Sequence, residues 1–169
     1  ITISETVETA KACFDSGADG IHFHMRDENG KHILDSGLCK EALNELQKKV
    51  PKMHLQVTTE AVGRYSPDVM RKLAFDVLPP GISIGIREMI PSRNPSSEDI
   101  NLYKHLTQEG TKIQHICYEP KDIDLLSNLL TLADIPAEGT WCMFVIGHYS
   151  GLLSNPENIS PFLVKLKEH

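Results

Sequence analysis

The chain has 169 residues, of which 40% are hydrophobic and 24% charged, which is enough apolar material for one core. No apolar run approaches the roughly 18 residues of a membrane-spanning helix, and the chain does not start with a basic segment followed by an apolar one, so we expect a cytoplasmic protein. A formal net charge of −6 with scattered lysines argues against a nucleic-acid surface. The expected partner is therefore a small molecule.

The cysteines are far apart, lie in apolar contexts and form no Cys-x-x-Cys pair. They are expected to be reduced core residues, not a disulfide framework or a zinc knuckle. They are Cys13, Cys39, Cys117 and Cys142.

The first predicted element is a helix that leads into a short apolar strand. Thr2 and Glu5 fit a capping box, apolar residues follow at helical spacing, and Asp-Ser-Gly at 15–17 ends the run. A strand is predicted at 20–25, and the polar, glycine-containing segment at 26–31 has the composition of a loop. This order is typical of one unit of an α/β protein.

The same unit recurs at a nearly constant interval along the chain. The predicted strands are 20–25, 54–58, 81–86, 112–117 and 141–147, and the helices between and after them are 36–49, 67–75, 97–109, 120–133 and 156–167. Strict alternation predicts a parallel sheet with right-handed crossovers. The interval of roughly 30 residues favours a (β/α)8 TIM barrel, and an open doubly wound sheet is the alternative.

The length of the chain bears on the barrel hypothesis. A whole barrel typically needs about 250 residues, whereas this sequence supplies about five βα units and starts abruptly in a helix without Met. We therefore expect residues 1–169 to form a single domain that is part of a longer barrel, without its first strand and its last strands.

The most informative segment is Gly-Ile-His-Phe-His-Met-Arg-Asp at 20–27. On a strand, alternate side chains share a face, so His22, His24 and Arg26 are expected to point the same way. Two imidazoles on one rigid face are half of a metal site. The alternative is a pair of hydrogen-bonded core histidines.

This segment resembles the signature Gly-Ala-x-x-x-His-x-His-x-Arg-Asp of the β-keto acid cleavage enzymes, formerly a domain family of unknown function. Further matching segments follow in order along nearly the whole chain. They are Gln-Val-Thr-Thr at 56–59, Ile-Gly-Ile-Arg-Glu-Met-Ile-Pro at 84–91, Ile-Gln-His-Ile-Cys-Tyr at 113–118 and Phe-Val-Ile-Gly-His-Tyr at 144–149.

The resemblance implies a zinc-dependent acyltransferase on a (β/α)8 barrel, which converts a β-keto acid and acetyl-CoA to acetoacetate and a new acyl-CoA. It implies that His22 and His24 are zinc ligands, and neutral imidazoles suit Zn²⁺. The β-keto carbonyl could then bind at the open coordination position of the zinc ion, which would polarise it as a Lewis acid. The resemblance also suggests a homodimer or homotetramer.

The family's third ligand is a glutamate in an Arg-Val-Gly-x-Glu segment that also supplies a catalytic arginine and, in some members, an acidic base. No such segment occurs in these residues, so the catalytic groups are expected beyond His169. Two alternatives remain open. One is a catalytically silent binding protein, and the other is a metal-dependent aldolase or lyase that does not use CoA.

Candidate substrate-binding residues lie on or just after two strands. The family uses a hydroxyl to hold the substrate carboxylate at the end of the second strand, where Thr58 and Thr59 lie, and Ser83 on the next strand is similar. Arg87 could hold a carboxylate in bidentate fashion, and Glu88 could accept a proton or orient a cationic substrate group. An ion pair between Arg87 and Glu88 is the structural alternative.

The remaining polar candidates are less defined. Either Gln114 or His115 points into the barrel, and the sequence does not decide which. His148 and Tyr149 follow a glycine at a strand end, where the CoA arm could bind. The other histidines are expected on the surface or in loops; they are His32, His54, His105 and His169.

Overall fold

A computed structural model of the chain describes residues 1–61, 63–147 and 153–169. The strands are β1 (Gly20–Phe23), β2 (His54–Thr58), β3 (Gly81–Gly85), β4 (Lys112–Cys117) and β5 (Trp141–Phe144). The helices are α1 (Ile3–Asp15), α2 (Ser36–Lys49), α3 (Pro67–Val77), α4 (Ile86–Met89), α5 (Ser97–Gln108), α6 (Lys121–Ala133) and α7 (Ser160–Leu166), the last preceded by a 3-10 turn at Pro156–Ile159.

The five described strands form one parallel sheet in the order β1-β2-β3-β4-β5. A doubly wound sheet reverses its strand order at a switch point, and this sheet does not, so the doubly wound alternative is wrong. Right-handed crossovers in an unreversed order place every connecting helix on the same face. The helices accordingly pack on their neighbours in chain order in one layer. The architecture is that of an incomplete TIM-barrel-like fold.

Local signals explain where the helices begin. The Thr2 hydroxyl accepts a hydrogen bond from the backbone N–H of Glu5, and the Glu5 carboxylate accepts one from the backbone N–H of Thr2, which confirms the predicted capping box of α1. Ser96 and Asp99 form the same motif at α5, and the Asp35 carboxylate caps α2. Each cap satisfies backbone N–H groups that have no partner inside the helix.

The hydrophobic core lies between the sheet and the helix layer. Ile82 and Ile84 of β3 are fully buried, and they pack among apolar side chains of the helices such as Leu46, Leu73 and Leu106. The alternate residues of the strands face the other way, and these include His22, Gln56 and Thr58. Strand alternation therefore separates an apolar face from a polar face.

Three predicted strands end earlier than the sequence pattern indicated. β1 ends at Phe23, β5 at Phe144, and β3 at Gly85, where the chain turns into α4. A Cβ atom at Gly85 would lie 2.7 Å from Oε2 of Glu88, so a larger residue there would require the Glu88 side chain to move. α4 was not predicted, since four residues are too few to show helical periodicity.

One cysteine departs from the prediction. Cys39 and Cys117 are buried and Cys142 is partly buried, but Cys13 is exposed. α1 is amphipathic and buries Val7 and Ala10, so Cys13 falls on its outer side. No helix among the described residues is both long and apolar enough to cross a membrane.

Candidate metal and substrate site

His22 and His24 meet at the carboxyl end of β1, as the sequence predicted. Their Nε2 atoms are 3.0 Å apart, although His24 lies just beyond the end of the strand. Nδ1 of His22 is 2.6 Å from the amide oxygen Oε1 of Gln56 on β2, and Nδ1 of His24 is 3.4 Å from the carboxylate oxygen Oε2 of Glu60. Each ring is thus oriented by an oxygen atom that contacts its Nδ1 atom.

The contacts at Nδ1 determine which nitrogen of each ring can bind a metal. An amide oxygen accepts hydrogen bonds, so Nδ1 of His22 donates to Gln56, and the Glu60 carboxylate favours a proton on Nδ1 of His24. Each neutral ring then has its lone pair on Nε2. Two lone pairs that face each other at 3.0 Å repel unless a cation or a proton lies between them. The donor chemistry of this pair fits Zn²⁺, and orienting oxygens behind ligand imidazoles are typical of metal sites.

The electrostatic surroundings keep the second ring neutral. Burial lowers the pKa of His24 below its ordinary value, and the neighbouring His22 lowers it further, while Glu60 acts in the opposite direction. A neutral imidazole is the form that binds metals.

His32 is the residue of this site that the sequence reasoning missed. The sequence predicts His32 on the surface or in a loop; it does lie in the loop between β1 and α2, but it is not on the surface, because it is only 8% exposed. An isolated bridge to Arg26 fixes the backbone there, and the carbonyl of His32 accepts hydrogen bonds from Arg64 and Tyr65. The ring centroid lies 5.0 Å from that of His24. A loop residue with no apolar periodicity gives no sequence signal for such burial.

A second group of possible metal donors includes this histidine. The residues His24, His32 and Glu60 each offer one donor atom, and these three atoms lie within 4.8 Å of one another. His24 thus belongs to two potential donor groups, and it faces His22 with one nitrogen and Glu60 with the other.

Arg26 does not join the histidines as the alternation of a longer strand predicted. β1 has already ended, and the guanidinium of Arg26 donates to the carbonyl of Gly30 in its own loop.

The predicted hydroxyl groups lie beside the histidines but are buried. The Thr58 hydroxyl accepts hydrogen bonds from Ser83 and from the backbone of Glu60, so it keeps its own proton to donate. Thr59 is fully buried and donates to the carbonyl of Ser83. Thr58 is two residues beyond Gln56, the partner of His22, so both lie on the polar face of the sheet.

Arg87 has structural partners other than the expected one. Its Nη2 atom lies 2.9 Å from the fully buried Asp122 and 3.3 Å from Glu119, and its guanidinium stacks over the ring of Tyr118. Arg93 pairs with the same two carboxylates. The side chain of Arg87 as a whole is 28% exposed, although its Nη2 atom is buried.

Glu88 lies on the other side of α4, toward β2. Its Oε2 atom accepts a hydrogen bond from the backbone of Ala61 at 3.4 Å. Because Ala61 directly follows Glu60, this contact ties α4 to the loop that carries a histidine partner. The roles of Arg87 and Glu88 in substrate binding stay predictions.

The strand register resolves the choice between Gln114 and His115. Gln114 pairs with Ser83, which pairs with Thr58, so Gln114 lies on the polar face. His115 lies on the other face, where it stacks on Tyr103 and its Nδ1 donates to the carbonyl of Trp141. Burial lowers the pKa of His115 to about 4. His148 and Tyr149 lie outside the described residues.

A cleft of about 970 Å³ lies at the amino ends of the strands and reaches His22. Its lining includes Gly81, Lys112 and Trp141 of the strands and Tyr103 of α5. The site residues instead gather at the carboxyl ends, where parallel α/β folds place their catalytic groups. The cleft therefore extends away from the candidate substrate site.

An unreversed parallel sheet with histidines and hydroxyl groups at the carboxyl ends of its strands defines a TIM-barrel-like protein. The side chains at these strand ends include potential metal ligands. The family model described as beta-keto acid cleavage enzyme matches residues 1–169. The chain belongs to this family.

Two curated relatives differ greatly in how much they share with the chain. The 3-keto-5-aminohexanoate cleavage enzyme of Acetoanaerobium sticklandii is 22% identical over 162 residues, which are 94% of this chain and 59% of that enzyme. The chain thus spans less than two thirds of the length of this relative. The human proteasome adapter and scaffold protein ECM29 is 34% identical over 66 residues, which are 39% of this chain and 4% of that protein. So short a match carries no argument about function.

Proposed function

We propose that the protein is a zinc-dependent β-keto acid cleavage enzyme that converts a β-keto acid and acetyl-CoA to acetoacetate and an acyl-CoA. The family supports cleavage of β-keto acids, and the observation that carries the metal assignment is the approach of the two Nε2 atoms of His22 and His24. We further propose that the enzyme acts in the cytoplasm, as a dimer or tetramer.

The residues that hold the zinc would be His22 and His24, with a glutamate of a later strand as the third ligand. Gln56 and Glu60 hold the two rings through their Nδ1 atoms. When bound, the metal supplies a Lewis acid for the β-keto carbonyl and leaves one position open for it.

The substrate carboxylate would be held by the hydroxyl groups beside the histidines. Thr58 has a free proton to donate, and Ser83 aligns it from the next strand. The partly exposed side chain of Arg87 offers a positive charge at the end of β3, where Asp122 fixes the guanidinium in place. Glu88 would accept a proton or orient a cationic group of the substrate, as in a 3-keto-5-amino acid.

Metal analysis of the purified full-length protein tests the zinc assignment. We expect about one zinc per protein chain, and its loss in a double variant with His22→Ala and His24→Ala. A variant with His105→Ala, on the outer helix layer, is the control and should keep its metal. Unchanged metal content in the double variant contradicts the proposal.

Product analysis tests the reaction. We expect a panel of β-keto acids, including 3-keto-5-aminohexanoate, to yield acetoacetate only when acetyl-CoA is present. Cleavage that proceeds equally without acetyl-CoA would instead indicate an aldolase or lyase. No cleavage of any member, with zinc bound, would indicate a silent binding protein.

A further inference from the structure

We infer that His24, His32 and Glu60 form a second, three-donor site for a divalent transition-metal ion, which does not use His22. This inference goes beyond the proposed function, because it concerns a donor set that is complete between residues 24 and 60. The ion class follows from the donors, since two imidazoles and one carboxylate suit Zn²⁺ or Co²⁺ better than the oxygen-preferring Mg²⁺ or Ca²⁺.

The first observation is the geometry of the three groups. Their donor atoms lie within 4.8 Å of one another, which is close enough for one ion to contact all three after small side-chain rotations. Glu60 lies beside Nδ1 of His24, whereas Nε2 of the same ring faces His22. A neutral imidazole has one lone pair, so the ion occupies either this site or the one with His22, depending on which nitrogen of His24 carries the proton.

The second, independent observation is the state of His32. Its side chain is more than nine-tenths buried, and neither ring nitrogen has a hydrogen-bond partner among the residues that the structure describes. A buried polar group without a partner is energetically costly, and such a group points to a ligand that satisfies it. A metal ion at this donor set satisfies one ring nitrogen of His32 directly.

The third observation is that the loop holds His32 firmly while leaving its ring unpaired. Arg64 and Tyr65 both donate to the carbonyl of His32, and the bridge to Arg26 holds the backbone on the other side. The ring packs edge-on against His24, with an interplanar angle of 61°. The side chain is therefore positioned toward His24 before any ion binds.

Cobalt titration of the chelator-stripped full-length protein tests the inference without relying on activity. Binding is followed by the visible absorption of Co²⁺ in the parent protein and in variants with His22→Ala, His32→Phe and both changes. We expect His22→Ala to keep a cobalt band, and the added His32→Phe change to weaken cobalt binding by about tenfold or more. His105→Phe, the same replacement on α5, is the matched control and should leave binding unchanged.

Phenylalanine is chosen because it fills the space of the ring and removes only nitrogens that have no hydrogen-bond partner among the described residues. The melting temperature of the metal-free His32→Phe variant should therefore equal or exceed that of the parent. If this variant does not fold, Glu60→Gln in the His22→Ala background tests the same donor set at a partly exposed position, and it should also weaken the cobalt band.

The outcomes separate this inference from the proposed function. Loss of all cobalt binding in His22→Ala, or binding by the double variant as tight as that of His22→Ala alone, overturns the second site and leaves the His22 and His24 site standing. Unchanged binding in every variant, including one with His24→Ala, overturns both.

Discussion

At the scale of single residues, the two buried histidines among the described residues, His32 and His115, have contrasting environments. His32 lies among metal donors, whereas His115 lies between the sheet and α5, stacked on Tyr103. The Nδ1 atom of His115 has a partner, but its Nε2 atom has none among the described residues. Protonation at Nε2 would thus place a positive charge in the apolar layer with no compensating group.

The pH dependence of stability should reflect this cost. Burial lowers the pKa of His115 to about 4 from an ordinary value of 6.5, so the unfolded state binds the proton more readily. The stabilising contribution of the neutral ring is therefore complete above about pH 6.5 and is lost progressively as the pH falls toward 4. The depressed pKa corresponds to about 3 kcal/mol in the free energy of unfolding.

Urea unfolding at a series of pH values measures this effect. We expect a His115→Phe variant to lose less stability than the parent between pH 6.5 and 4, and a His105→Ala variant to behave like the parent. Parallel pH profiles for the parent and the His115→Phe variant would contradict the assignment.

At the scale of elements, the short helix α4 carries two candidate substrate-binding residues, Arg87 and Glu88. Asp122 of α6 accepts hydrogen bonds from the backbone N–H groups of Tyr118 and Glu119 and pairs with Arg87. One buried carboxylate thereby joins α4, the end of β4 and the start of α6. The ion pair between Asp122 and Arg87 therefore also joins elements at the carboxyl ends of the strands.

Replacing this carboxylate should destabilise the fold strongly. Asp122→Ala removes the buried carboxylate partner of Arg87 and leaves two backbone N–H groups without this acceptor, which should cost about 3–5 kcal/mol. Denaturant unfolding checks this, with Asp124→Ala on the exposed side of the same helix as the control, expected to cost less than about 1 kcal/mol. A loss of similar size in both variants would refute the role given to Asp122.

The same elements show how far the sequence could predict this structure. The alternation of apolar strands and capped helices indicated all five described strands, and α2 has its predicted bounds at Ser36–Lys49. The pairing of His22 with His24 was also predictable, because strand alternation places them together. The partnership of Arg87 with Asp122 and the burial of His32 were not, since both depend on contacts between distant segments that leave no periodic pattern.

At the scale of the whole molecule, the described sheet has two edges, at β1 and β5. Trp141 and Met143 of β5 lie on the polar face of the sheet and are 54% and 37% exposed. Unpaired strand edges with apolar side chains are sites of association. In a closed barrel, a neighbouring strand would cover this edge.

The 169-residue polypeptide expressed by itself should therefore self-associate. Trp141→Lys should reduce the association, because it places a charge at the edge of β5, and sedimentation velocity at micromolar concentrations measures the change. Leu153→Lys is the control, since Leu153 is 94% exposed and lies outside the sheet. A monomeric parent polypeptide, or an equal effect of both lysines, would contradict the prediction.

The unreversed strand order also has a kinetic consequence. Gly20 pairs with His54 and Gln114 with Trp141, so every pairing in the sheet joins a strand to the next one in the chain. Such short loop closures cost little entropy and favour fast folding. Each βα unit can therefore add to the preceding units as it leaves the ribosome, and the histidine pair at the end of β1 can form before β5 has been synthesised.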